Sequence, residues 1–312
     1  MKKLAAITLT SMMLLLATAM VVGAVGNVEV RSEVQTVVDG STPTWTPQTF
    51  AGFYYDIDDN LGNENIQMTV TNGKLEEPNG VKYTTTSQEN DFEFEDWGWY
   101  NSIGFLGENY FAGYNEKMPV VDGNEIDPQL YKESTDRNTL IDEQLLKVYT
   151  DDDDEMTVTS GTPLKLEEGY ELSIKSIDID GNKVYLELSK DGSVIDSKVI
   201  SPSKDVATMG DKTYYYKKNI GDSEDLVIIG VHFKNAFRGA DQNLATIDGV
   251  FQISDTPSDV EVDTEYDKMR IASVSTDTIT MDNKDNSITL NKNKDTTLMV
   301  GIGIKTADQD VI

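Results

Sequence analysis

The sequence predicts an all-β protein: two β-sandwich units in tandem with one short helix, preceded by a signal peptide. Three observations carry this prediction. Apolar and polar residues alternate in runs of about six, as in Val184-Tyr185-Leu186-Glu187-Leu188-Ser189, which turns one face of each run toward a core. Turn dipeptides recur at hairpin spacing, namely Asn72-Gly73, Asn79-Gly80, Asp122-Gly123, Asp180-Gly181, Asp191-Gly192 and Asp248-Gly249, and such pairs readily take the positive φ values of tight turns. Helical spacing of apolar residues is scarce.

Residues 1–26 read as the signal peptide. Met1-Lys2-Lys3 is a short basic start, Leu4 to Val22 is largely apolar, and Gly23-Ala24-Val25-Gly26 supplies small residues for cleavage after Ala24 or Gly26. The apolar stretch is also close to the ~20 residues that span a bilayer, so an uncleaved anchor is the alternative. Residues 27–48 end in a Ser/Thr/Pro stretch and read as a linker. Residues 49–150 form the first sandwich unit. Near its end, within Asp127 to Lys147, residues Leu140, Ile141, Gln144, Leu145 and Val148 fall at helical spacing and predict the short helix. The second unit, 151–255, opens with the run Asp151-Asp152-Asp153-Asp154-Glu155, expected as a solvated loop because like charges in a row repel. It contains Leu226 to Phe233, an apolar run that reads as a strand buried on both faces. It also contains Tyr214 to Lys218, patterned like an edge strand, where lysines discourage pairing. Residues 256–312 are expected to supply carboxy-terminal strands, among them Ile271 to Thr276, that pack on the first unit.

The chain carries 26 Lys and Arg against 55 Asp and Glu, a net charge of −29. Removal of the leader leaves 24 basic residues against 55 acidic ones, a net −31. Such a surface repels phosphate backbones and anionic membranes at long range, so nucleic acid is not expected as a partner and membrane contact is expected only through an uncleaved leader. There is no cysteine and a single histidine, His232, which removes disulfides, thiolate chemistry and every site that needs two histidines. Without a recognisable base for a serine nucleophile, no enzyme activity and no cofactor are expected beyond unspecific divalent cations.

Two constellations stand out as candidate sites. Asp56, Asp58, Asp59 and Glu64 make a dense oxygen cluster of the type a hard cation accepts, set against a plain acidic loop. Trp97, Trp99 and Tyr100 lie beside Glu93, Glu95 and Asp96, the pairing of carboxylates and aromatics that glycoside hydrolysis uses, although carboxylates adjacent in one strand or turn need not face each other across a cleft; a glycan platform and core or interface packing are the other readings. Asp178-Ile179-Asp180-Gly181-Asn182 lacks EF-hand spacing and is flanked by strands, so it reads as a hairpin turn. His232, inside an apolar run, reads as a packed structural histidine.

Residues 161–200 resemble the centre of the S-layer duplication domain of methanogen (archaeal) surface proteins. The matching block is Gly169-Tyr170, Leu172, Ile177-Asp178, Asp180-Gly181 and Lys183-Val184, followed by the Lys190-Asp191-Gly192 hairpin. Further blocks follow in the family's order: Gly52-Phe53-Tyr54-Tyr55-Asp56, Asn109 to Tyr114, Val231-His232 with Phe237 and Gly239, Asp282 to Asp285, and Lys305 to Asp308. The resemblance covers about residues 48 to 312. It implies β-sandwich architecture, export to the cell surface and a structural role in a lateral lattice formed with itself or related S-layer proteins, whose carboxylates would make an acidic, cation-attracting porous coat. The domain is read here in a single copy without a carboxy-terminal anchor, which gives a second expectation: an accessory module that binds envelope glycan or the lattice of larger relatives.

Overall fold

A computed structural model describes residues 29–115, 117–121, 124–127, 129–130, 138–178, 182–238 and 243–308. The predicted leader, the Asp122-Gly123 turn, the tip of the Asp180-Gly181 turn and Gly239 lie outside these residues. Contacts divide the chain between Arg31 and Ser32, and the second unit carries every sheet described below.

Three antiparallel sheets dominate that unit. A nine-stranded sheet runs in the order Thr213–Ile220, Ser223–Arg238, Asn243–Ile253, Gln144–Asp152, Glu108–Tyr114, Trp99–Phe105, Gln88–Asp91, with Met156–Thr159 and Ser258–Asp259 paired alongside. A six-stranded sheet runs Thr44–Trp45, Asn65–Met68, Val81–Thr86, Thr278–Asp282, Met269–Val274, Glu265–Tyr266. A four-stranded sheet runs Leu164–Lys165, Tyr170–Asp178, Lys183–Lys190, Ser193–Ile200.

The nine-stranded sheet serves two cores, because successive side chains of a strand point to opposite faces. Leu146, Phe111, Tyr114 and Tyr100 join Phe251, the Leu226 to Ile229 run and the inner residues Leu172, Ile174, Leu186 and Leu188 of the four-stranded sheet. Their strand neighbours Leu145, Ala112, Ile103 and Phe105 join Ile66, Val81, Tyr83, Ile271, Ile279 and Met281 of the six-stranded sheet. Residue 150 therefore lies inside a strand that packs into both cores. The carboxy-terminal strands enter the six-stranded sheet through pairs such as Lys82 with Asp282 and Thr84 with Thr280, next to strands laid down some two hundred residues earlier.

Local expectations fare unevenly. Asp191 and Gly192 both take positive φ, 50° and 79°, and join Lys183–Lys190 to Ser193–Ile200, as a two-residue hairpin turn requires. Leu226 to Ile229 are fully buried, as the apolar run predicted. Asp248-Gly249 is not a turn: it lies within the Asn243–Ile253 strand, and Gly249 is small because a Cβ there would meet the Phe94 ring at 2.9 Å. The helix expected from Leu140 to Val148 is corrected as well. Residues 131–137 lie outside the described residues, residues 139–143 turn, and Gln144–Asp152 is a strand that sends Leu145 to one core and Leu146 to the other. Its spacing of apolar residues came from serving two faces in succession. Among the described residues the one α-helix is the single turn Met209–Lys212, closed by a capping box between Thr208 and Asp211. No helix among them is long and apolar enough to cross a membrane.

Candidate functional site

The acidic loop at Asp56 is built by its own backbone. Asp56 and Leu61 form an antiparallel bridge, and Asp56 Oδ1 accepts the Asp58 and Asp59 N–H groups at 3.0 and 3.4 Å, a side-chain turn typical of aspartate. Asp58 and Asp59 are left exposed. Glu64, the fourth member of the expected cluster, sits elsewhere in role: it is 1% exposed and accepts hydrogen bonds from Tyr54 N, Tyr83 Oη and Gly107 N at 2.7, 2.8 and 3.0 Å. Burial raises its pKa against those bonds. Glu64 thus stitches the 54 and 107 segments to the six-stranded sheet. Among the described residues, the three or more carboxylates whose oxygens gather within 4.8 Å are instead Asp152, Asp153 and Asp154.

What the fold adds to Asp56, Asp58 and Asp59 is a set of carboxylates from two other segments. Asp151 Oδ1 accepts the Glu93 N–H at 3.2 Å. Its carboxyl is pushed up to about 7, first by burial and then by the charges of Glu93 and Asp59, against hydrogen bonds from Glu93 N and the Tyr100 phenol. Glu93 is raised by burial, then by Asp59, Asp153, Asp56 and Asp58. Asp59 is raised by burial, then by Asp56, Asp91 and Asp58. The Tyr54 phenol is pushed up to about 12 by burial and by Asp56, Asp59 and Asp151. Carboxylates from residues 56–59, 91–93 and 151–153 therefore share one field, which opposes the ionisation of Asp59, Glu93 and Asp151. The run at Asp151 was expected as a solvated loop; its first two members are strand residues, paired with Phe251 and Val250, and Asp151 is partly buried.

The aromatic trio is split. Trp97, on the 3-10 turn Glu95–Trp97, is 1% exposed and meets Phe92 and Phe94 edge-on at 5.7 and 5.1 Å. Tyr100 is equally buried, packed on Phe92 and Phe251, and its hydroxyl accepts the Asn90 amide N–H at 2.9 Å. Trp99 alone of the three keeps part of its surface. His232 is a packed histidine: Phe94 stacks on it at 4.3 Å, and its Nδ1 lies 2.5 Å from Asp248.

One polar centre gave no signal in the sequence. Asp255, 4% exposed, receives Lys190 at 2.6 Å, Lys218 at 2.8 Å and the Tyr170 hydroxyl at 2.6 Å, while Glu168 accepts Ser254 Oγ and Asp255 N at 2.7 and 2.9 Å. Although burial opposes its charge, the two ammoniums hold its carboxyl well below the usual range. Lys190 and Tyr170 come from the four-stranded sheet and Lys218 from the nine-stranded sheet, so this centre ties the layers together. No local pattern links residues 65 and 37 positions apart to Asp255.

These features describe a β scaffold with a charged skin. The S-layer protein family matches residues 34–308. The Major S-layer protein of Methanosarcina mazei is 31% identical over 99% of this chain and 44% of its own length. That of Methanosarcina barkeri is 32% identical over 88% of this chain and 38% of its own, and that of Methanosarcina acetivorans is 31% identical over 99% and 45%. The chain thus spans less than half the length of these curated relatives. With a match across nearly the whole described fold, the chain belongs to the S-layer protein family.

Proposed function

We propose that this chain is an exported structural subunit of a cell-surface layer, that it assembles laterally with copies of itself or with larger relatives, and that its carboxylates give the coat a cation-attracting field. The observation that carries the cation-attracting field is the convergence of carboxylates from residues 56–59, 91–93 and 151–153 around Asp59, Glu93 and Asp151. A cluster in which Asp151 holds its proton up to about pH 7 gains whenever a cation approaches, with no need for a geometrically defined site. The reach of the field is about one Debye length, roughly 8 Å at physiological ionic strength, so it acts on ions only in narrow passages between subunits. The role is structural, with no reaction assigned to it.

Equilibrium dialysis with calcium or magnesium tests the cation half. Many weakly held ions per chain, displaced by moderate sodium chloride, are expected. A single tight stoichiometric site, or no excess of cation over bulk, would count against the diffuse field. The glycan reading rests on Trp99, the one aromatic of the trio with free surface. Its test is retention on envelope glycan by the native chain and loss on Trp99→Ala.

A further inference from the structure

We infer that the free edge of the four-stranded sheet, the strand Ser193–Ile200, is where a second copy of this chain pairs. The inference rests on the lattice reading above and names a contact within it. Among the described residues the strand pairs on one side with Lys183–Lys190, from Val184 with Ile200 to Lys190 with Ser193, and stands last in its sheet. At eight residues it is long for an edge, whereas the opposite edge, Leu164–Lys165, has two. Val194, Ile195 and Val199 are 59%, 43% and 53% exposed, and Ser193 and Ser197 are exposed with them. Three exposed β-branched aliphatics on one edge strand form a surface that favours strand addition.

The charges of this strand do not guard it. Lys198 turns inward, donates to the Thr213 carbonyl at 3.3 Å and lies 5.3 Å from the centre of the Tyr215 ring. Asp196 also turns inward and accepts the Tyr214 hydroxyl at 2.6 Å. An inward charge deters pairing when an incoming strand would strand it; both of these already have partners. The sequence placed a guarded edge at Tyr214 to Lys218, and Thr213–Ile220 does stand last in the nine-stranded sheet; with Tyr214 and Tyr215 buried and Lys218 held by Asp255, the edge that exposes aliphatic side chains is Ser193–Ile200.

Charge selects the occupant. Residues 161–220, which build this sheet and the strand beneath it, carry nine lysines against ten acidic residues, a net −1 in a chain of −29. In a chain this acidic, two copies meet with little repulsion where this nearly neutral region faces its like. A two-fold antiparallel pairing centred on Ser197 sets Ile195 opposite the partner's Val199 and Asp196 opposite the partner's Lys198, a self-complementary contact of the kind closed dimers use. Eight residues bury less than the roughly 1,200 Å² of a stable interface, so the contact is weak alone and gains strength when several act together in a lattice.

Sedimentation equilibrium and negative-stain microscopy of the purified full chain test this. The native chain is expected to self-associate with concentration. Joint Val194→Lys and Val199→Lys should weaken association about tenfold or more and abolish ordered sheets, even though added lysines lower the overall negative charge and would favour non-specific approach. Joint Val194→Thr and Val199→Thr, which keeps strand propensity, should weaken it several-fold with an unchanged urea midpoint. Val300→Lys, at another exposed aliphatic, should associate as the native chain does. If the native chain associates and both edge variants do so equally well, the edge is not the contact while the lattice reading stands. If the native chain never associates at any concentration, both fall.

Discussion

Asp151→Asn is expected to stabilise the protein at pH 8 and to leave it unchanged near pH 4. The carboxyl of Asp151 rises from its ordinary 3.8 to about 7, and at ~1.4 kcal/mol per pH unit the rise corresponds to a ceiling of about 4 kcal/mol against the ionised folded state. The cluster lies at the surface, where water and salt screen it, so about 1–2 kcal/mol is the expected gain. The sign follows from proton binding. Below about pH 4 the folded and unfolded chains both hold the proton and there is no difference. Between about 4 and 7 the folded chain binds more proton than the unfolded one, so stability falls as pH rises, and above 7 the penalty is complete. Asparagine keeps an acceptor for the Glu93 N–H, which bonds Asp151 at 3.2 Å, and carries no charge for Glu93 and Asp59 to oppose. Urea unfolding of both proteins from pH 4 to 8 reads the gap directly. It should open through that interval and shrink when sodium or calcium chloride is added. A gap that does not change with pH, or a variant less stable at pH 8, would refute the shared acidic field.

Two further substitutions probe the scaffold. Asp255→Ala leaves Lys190, Lys218 and the Tyr170 hydroxyl without their common acceptor and should cost about 2–4 kcal/mol in urea unfolding, because removing one partner of a buried pair strands the others. Since the Asp255 carboxyl is held below its ordinary value, that loss should be full above about pH 4 and fade in stronger acid; a loss undiminished in acid would assign the effect to packing alone. Trp97→Ala should cost about 3–5 kcal/mol as a core deletion, whereas Trp99→Ala should cost under about 1 kcal/mol. Equal small effects in thermal melts would contradict the buried placement of Trp97.

Much of the architecture was legible because it is written locally. Alternation in Val184 to Ser189 and the Asp191-Gly192 turn are properties of neighbouring residues, and the hairpin they specify is present. The misreadings arose where tertiary packing set the residue. Gly249 resembles a turn glycine, yet it is small to admit Phe94. The residues from Leu140 to Val148 mimic a helix because one strand feeds two cores, an arrangement invisible until both partner sheets are in place. The candidate site shows the same limit. Asp56, Asp58 and Asp59 announce themselves as a run, but Glu64 is an internal acceptor, and the partners of the run, Glu93 and Asp151, arrive through pairing between distant segments. The family blocks carried more functional information than any cluster of side chains, since a structural role leaves no catalytic pattern to read.

The most direct test of the structural role is amino-terminal sequencing of the protein recovered from native envelopes, after labelling of intact cells with a membrane-impermeant reagent. Membership of the surface layer predicts labelled protein in the lattice fraction, with a first residue following Ala24 or Gly26. Protein found unlabelled inside the cell, and absent from the lattice fraction, would contradict it.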